Sequence, residues 1–197
     1  MGTKKCPSGK ELKMKRMFSR KNIIVSVLVL AYLSVILLAS GCAAQASKMV
    51  PRDFEVVNKH PYAVSINEST GGIDAKPLWD SQISNSAYTE ALSRALAKSG
   101  VFQTVTKGDG VDYILDVTIL SYDQPWHGAN INVRMETKWE LTNAKTHAPV
   151  WSNTFATAYR AAWLSSLFDD ERKEKAHEGA ARTNIKEGIR RLSLLSL

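Results

Sequence analysis

The chain has 197 residues, with 26 Lys and Arg against 19 Asp and Glu, for a formal net charge of +7. Eight of those bases and one of the acids lie in residues 1–42, so the rest of the chain carries 18 of each. A balanced remainder has no basic footprint and excludes nucleic acid as a partner. Its cysteines are Cys6 and Cys42 alone, so the chain beyond Cys42 has no internal disulfide to stabilise it. The 156 residues from Cys42 onward make about one domain, long enough to bury a single hydrophobic core.

The leader comes first. Cys6 lies in a polar lead-in, and Met14 or Met17 would serve as the start as well as Met1. Lys15, Arg16, Arg20 and Lys21 precede the uncharged run Ile23 to Ala39. Each central Leu, Ile or Val of such a run favours the bilayer by roughly 0.3–0.6 kcal/mol. A basic lead-in, an apolar run and then small residues form a secretory signal. The segment ends Leu38-Ala39-Ser40-Gly41-Cys42 and resembles the lipobox of bacterial lipoproteins, with Leu38 one place earlier than usual. The resemblance implies a diacylated Cys42, cleavage just before it and acylation of the new amino group. Three acyl chains would hold the protein at a membrane far more firmly than the single chain that binds only marginally. The other outcomes compatible with these residues are an uncleaved transmembrane anchor and plain secretion with cleavage after Ala44-Gln45-Ala46. Ala43, where an Asp would retain the protein in the inner membrane, implies by the same resemblance the inner leaflet of the outer membrane, facing the periplasm.

The expected organisation is a signal peptide over 1–41, a lipidated cysteine and short tether over 42–52, and one periplasmic domain over 53–197. Ala43 to Val50 reads as a flexible coil, and its eight residues would span roughly 15 Å. Phe54 to Val57 and Tyr62 to Ile66 read as short strands. Glu68 to Pro77 reads as a flexible loop, because its Gly71-Gly72 pair lacks the spacing and the Lys-Ser/Thr of a phosphate loop. Ser84, Asn85 and Ser86 offer helix caps. Tyr88, Ala91, Leu92, Ala95 and Leu96 then recur at helical spacing up to Gly100, and Trp79 and Ile83 would staple the entry.

From Val101 the period changes to two. Val101 to Val105 reads as a strand and Asp109-Gly110 as a turn. Val111, Tyr113, Leu115, Val117 and Ile119 then line one strand face. After a loop over 124–129, Ile131, Val133, Met135, Trp139 and Leu141 alternate with polar residues, the pattern of an antiparallel strand with one wet face. Trp151, Phe155 and Tyr159 mark a last strand. Asp169 and Asp170 open a charged helix whose stripe is Ala181, Ile185, Gly188, Ile189, Leu192 and Leu195. The order β-α-β-β-β-β-α predicts an α+β fold, a mostly antiparallel sheet with two helices packed on one face.

The run YTEALSRALAKSGVF followed by VDYILDVTIL resembles the small α/β domains of envelope lipoproteins. These include the TolB amino-terminal domain and the auxiliary lipoproteins of ABC-type transport systems. WELTNAKTHAPVW and EGAARTNI are similar to uncharacterised bacterial lipoproteins. The resemblance implies binding of other envelope components without chemistry.

The residues themselves point the same way. His60, His127, His147 and His177 are scattered without metal-site spacing and read as loop or surface residues. No Gly-x-Ser-x-Gly elbow occurs, and Asp112 and Asp116 read as solvated sheet residues rather than an acid–base pair. No cofactor and no metal are expected. Two apolar features are candidate partner contacts: Trp126 with His127 in a hairpin loop, and Trp163, Leu164, Leu167 and Phe168 beside the last helix. Both groups are weighed against a role in capping the open ends of the sheet, evenly for the first and with capping the favoured reading for the second. The expectation is therefore a non-enzymatic, membrane-anchored lipoprotein with an envelope protein partner in assembly or transport. The alternative is a lipid or small-ligand carrier with a pocket lined by Trp139, Trp151 and Leu192.

Overall fold

The structure, a computed structural model, describes residues 45–72, 83–123, 130–166 and 168–197. The lipobox with Cys42, together with Trp79, Trp126, His127 and Leu167, lies outside the described residues. The elements run α1 (Ala46–Met49), β1 (His60–Ile66), α2 (Asn85–Ser99), β2 (Phe102–Thr106), β3 (Tyr113–Asp123), β4 (Ile131–Asn143), β5 (Pro149–Ala161), a 3-10 turn (Trp163–Ser165) and α3 (Asp169–Leu192). The strands form one five-stranded sheet in the order β2-β1-β3-β4-β5. Helices α2 and α3 pack together over it, which is the expected two-layer α+β arrangement.

Local chemistry accounts for the elements. The Ser84 hydroxyl accepts a hydrogen bond from Ala87 N–H at 3.2 Å, and Gly100 takes the left-handed conformation at φ 64° that ends α2. The buried face of β4 is nearly dry, with Ile131, Val133, Met135, Trp139 and Leu141 all buried. Helix α3 has Asp169, Asp170 and Glu171 in its first turn and Arg190 and Arg191 in its last, each sign at its favourable end of the dipole. A side-chain carbon on Gly188 would collide with the Trp139 indole, and one on Gly179 with the Tyr159 ring. These two glycines let α3 lie directly on the aromatic rings of β4 and β5.

The β3–β4 and β4–β5 pairs are antiparallel, whereas β1 is parallel to both neighbours. Val64 pairs with Val105 of β2 and with Tyr113 of β3, so β3 starts at the level where β2 ends. The short link 107–112 therefore suffices to pass from one side of β1 to the other.

Three stretches differ from the sequence reading. Phe54 to Val57 is not a strand; Val57 N–H and Asn58 N–H are taken by Ser193 at the end of α3, at 3.1 and 3.0 Å. Gln45 to Val50, read as a flexible coil, contains α1 and buries Met49 completely. Ser69 to Gly72 is fastened instead of loose. Thr70 bridges to Thr118, Ser69 N–H donates to Thr89 Oγ1 at 2.8 Å, and Gly72 N–H donates to Asn85 Oδ1 at 2.7 Å. Gly71, at φ 80°, passes so close to the Ile119 carbonyl that any side chain would collide with it.

Candidate functional site

Three polar or exposed groups are strung along helix α3. In its middle, Asn184 is fully buried. Its Oδ1 accepts hydrogen bonds from Tyr88 Oη and Thr137 Oγ1, both at 2.9 Å, and its Nδ2 donates to Thr157 Oγ1 at 3.2 Å. Thr137 in turn accepts from the Trp139 indole N–H at 3.0 Å. The network joins α2, β4, β5 and α3, and burial pushes the Tyr88 phenol up, keeping it a donor. Of the three residues expected to line a pocket, Trp139 and Leu192 are fully buried and Trp151 is half-buried. Sequence reasoning missed the network. Thr137 breaks an otherwise apolar alternation and Asn184 lies inside an apolar stripe, and those two exceptions were the available signal.

Two turns nearer the start of α3, His177 is also fully buried, with its ring 5.0 Å from that of Tyr122. Among the described residues neither ring nitrogen has a hydrogen-bond partner, nor does the nearby buried Arg172 Nε. Burial pushes His177 down to about 4, with a smaller contribution from Lys173. His60 is buried as well, its Nε2 3.0 Å from the Leu192 carbonyl. Both correct the reading of these histidines as loop or surface residues: one faces the sheet from α3 and the other begins β1 beneath the end of that helix. His147 is exposed in the β4–β5 turn at φ 57°.

The third group lies at the entrance to α3. Trp163, Leu164 and Phe168 are 62%, 95% and 68% exposed. The expectation that this cluster caps the sheet is thereby corrected for its described members: Ala162 to Ser165 leave the end of β5 and turn outward into solvent. Lys175 Nζ holds the Ser165 carbonyl at 2.5 Å, and Arg172 Nη1 holds the Ser166 carbonyl at 3.0 Å. On the same face, Glu178 accepts from Gln45 N–H at 3.2 Å, and Lys48 reaches Glu174 at 3.3 Å and Glu178 at 3.5 Å. Glu178 is nearly buried, and burial pushes its carboxyl up against the opposing pull of Gln45 N–H and Lys48. From there the chain runs along the helix, with Lys186 binding Asp53 at 2.5 Å and Glu55 at 3.4 Å. Residues 45–58 thus form a strap along α3.

Other candidates for chemistry have structural duties. Asp112 accepts from Ala63 N–H at 2.9 Å and Asp116 from Asn67 Nδ2 at 2.8 Å, so each carboxylate pins the β1 segment. Among the described residues no group of three or more His, Cys, Asp or Glu is placed to hold a metal ion. No described helix is long and apolar enough to cross a membrane.

No curated protein matches the chain significantly. Among solved structures, protein XCC0632 from Xanthomonas campestris superposes with a TM-score of 0.54 at 16% identity, covering 74% of this chain and 90% of that one, a likeness of fold alone. Protein CT253 from Chlamydia trachomatis gives 0.47 at 8% identity over 66% and 93%, and lipoprotein GNA1162 from Neisseria meningitidis gives 0.37 at 12% over 51% and 85%. The family model for lipopolysaccharide assembly, LptE, matches residues 80–192, from the approach to α2 through the last residue of α3. With more than half of its length matched, the chain belongs to the LptE lipopolysaccharide-assembly family of bacterial lipoproteins.

Proposed function

We propose that the protein is a non-catalytic component of lipopolysaccharide assembly, held by acyl chains on Cys42 in the inner leaflet of the outer membrane and working there with an envelope protein partner. The family match across residues 80–192 carries this reading. The lipobox at Leu38 to Cys42 and the neutral domain behind it support the anchoring part. The polar groups of the described domain support the non-catalytic part. Its most elaborate side-chain network, around Asn184, is sealed in the core with its hydrogen bonds made, out of reach of any substrate.

Conditional depletion tests this role. Loss of the protein should lower the lipopolysaccharide reaching the cell surface, and in-cell crosslinking before depletion should capture one envelope protein reproducibly. Restoration by the intact chain but not by Cys42→Ser would tie the role to the anchor. Unchanged surface lipopolysaccharide after full depletion would overturn the assignment.

A further inference from the structure

We infer that Trp163, Leu164 and Phe168 form a membrane-docking knuckle, which lies in the same bilayer leaflet that receives the acyl chains. The inference rests on the proposed lipidation of Cys42 and adds to it a second, non-covalent contact that fixes how the domain stands on the membrane.

Short tethers set the distances. Gln45 is tied to Glu178, and Lys48 to Glu174 and Glu178. The knuckle is tied to the same stretch of α3, through Ser165 to Lys175, Ser166 to Arg172, and Ser166 Oγ to Glu171 at 2.5 Å. Glu171, Glu174, Lys175 and Glu178 stand at i, i+3, i+4 and i+7, one face of a helix. The beginning of the strap and the knuckle therefore share that face, about one turn apart along the axis. Cys42 is three residues before Gln45, so even a fully extended chain keeps it within about 11 Å. Because Gln45 to Val50 is packed and not a loose coil, no further slack exists to lift the domain away.

A gap this narrow decides the occupant. It leaves no room for a folded partner between this end of the domain and the headgroups, where Trp163 and Phe168 stand exposed. Trp163 on an outward turn and Phe168 at the start of α3, with Leu164 almost wholly in solvent, match the aromatic and aliphatic residues that settle at the boundary between headgroups and acyl chains. All three are large apolar side chains left exposed to water, with no cover among the described residues.

The test uses the full acylated chain reconstituted in vesicles of phosphatidylethanolamine and phosphatidylglycerol. Leu164→Cys is labelled with an environment-sensitive fluorophore, and Asp109→Cys, in the exposed β2–β3 turn, serves as reference. The only native cysteine after the signal is Cys42, so each label is unique in a processed chain. The expected result is co-flotation with vesicles, a blue-shifted emission at position 164 quenched by shallow doxyl lipids, and an unshifted, unquenched signal at 109. Leu164→Ser with labels at Trp163→Cys should show that shift reduced. Protein that floats while position 164 reports water overturns the knuckle and leaves the anchor standing. Protein that does not float overturns both. A shift that arises only when an envelope protein is added assigns the surface to that protein and overturns the lipid contact.

Discussion

Among the buried polar side chains of helix α3, Asn184 and His177 stand about two turns apart and are treated in opposite ways. Asn184 has its amide bound on both ends, to Tyr88 and Thr137 through the oxygen and to Thr157 through the nitrogen. His177 is equally dry, yet both ring nitrogens lack partners among the described residues. A satisfied network in low dielectric rigidifies and fixes one arrangement of the elements that share it, whereas an unsatisfied group is a standing penalty. The middle of the helix is therefore the part that locks α2, β4, β5 and α3 together. The first turns of the helix, where the strap begins and the knuckle is tied, hold the ring whose nitrogens lack partners among the described residues.

The largest effect should come from breaking the satisfied site. Asn184→Ala leaves the Tyr88 and Thr137 hydroxyls without their acceptor and opens a small cavity, a loss of about 3–4 kcal/mol. For a domain of this size the midpoint of thermal unfolding should fall by roughly 10 °C. A shift within the error of the melting curve would show that the network does not lock the layers.

The unsatisfied site should announce itself through pH. His177 has its folded pKa pushed down to about 4, below the ordinary 6.5, so below pH 6.5 the unfolded chain binds the proton more readily than the folded one. Stability should thus decline as pH falls from 6.5 to 4, by at most about 3 kcal/mol. His177→Leu should remove that decline while staying within about 1 kcal/mol of the parent at pH 7.5, because no orphaned nitrogen remains. Urea titrations at pH 7.5 and 5 compare the two; an unaltered pH slope in the variant would assign the decline elsewhere.

A smaller effect sharpens the contrast at the far end of the helix. Glu187 is held down to about 2, chiefly by its hydrogen bonds to Arg190 and then to Arg191. Its contribution is present above pH 4.5 and fades as pH falls toward 2, a window below that of His177. Glu187→Gln should cost about 1 kcal/mol at neutral pH and flatten only the acid limb. An acid titration that loses its upper limb instead would reverse the two assignments.

Strong periodicity carried most of the fold. Helix α2, with Ser84 and Gly100 at its ends, and the alternation of β4 are visible as spacing, since cap chemistry and the two-residue period are local. The parallel pairing of β1 was not, because it depends on the stagger between β2 and β3, a relation between distant segments. The strap was not either: Lys48, Asp53 and Glu55 look like ordinary solvated charges until Glu174, Glu178 and Lys186 are brought beside them. At the candidate site the apolar run around Trp163 was legible, but its exposure was not. AAWLSSLF has no period, so nothing local says which way it faces.

Covalent attachment at Cys42 underlies both the proposed role and the knuckle, and the intact mass of the protein extracted from its own membranes tests it most directly. The prediction is a chain that begins at Cys42 and carries the added mass of three fatty acyl groups. A chain that begins beyond Ala46 without fatty acid, or one that retains residues 1–41 uncleaved, would contradict it.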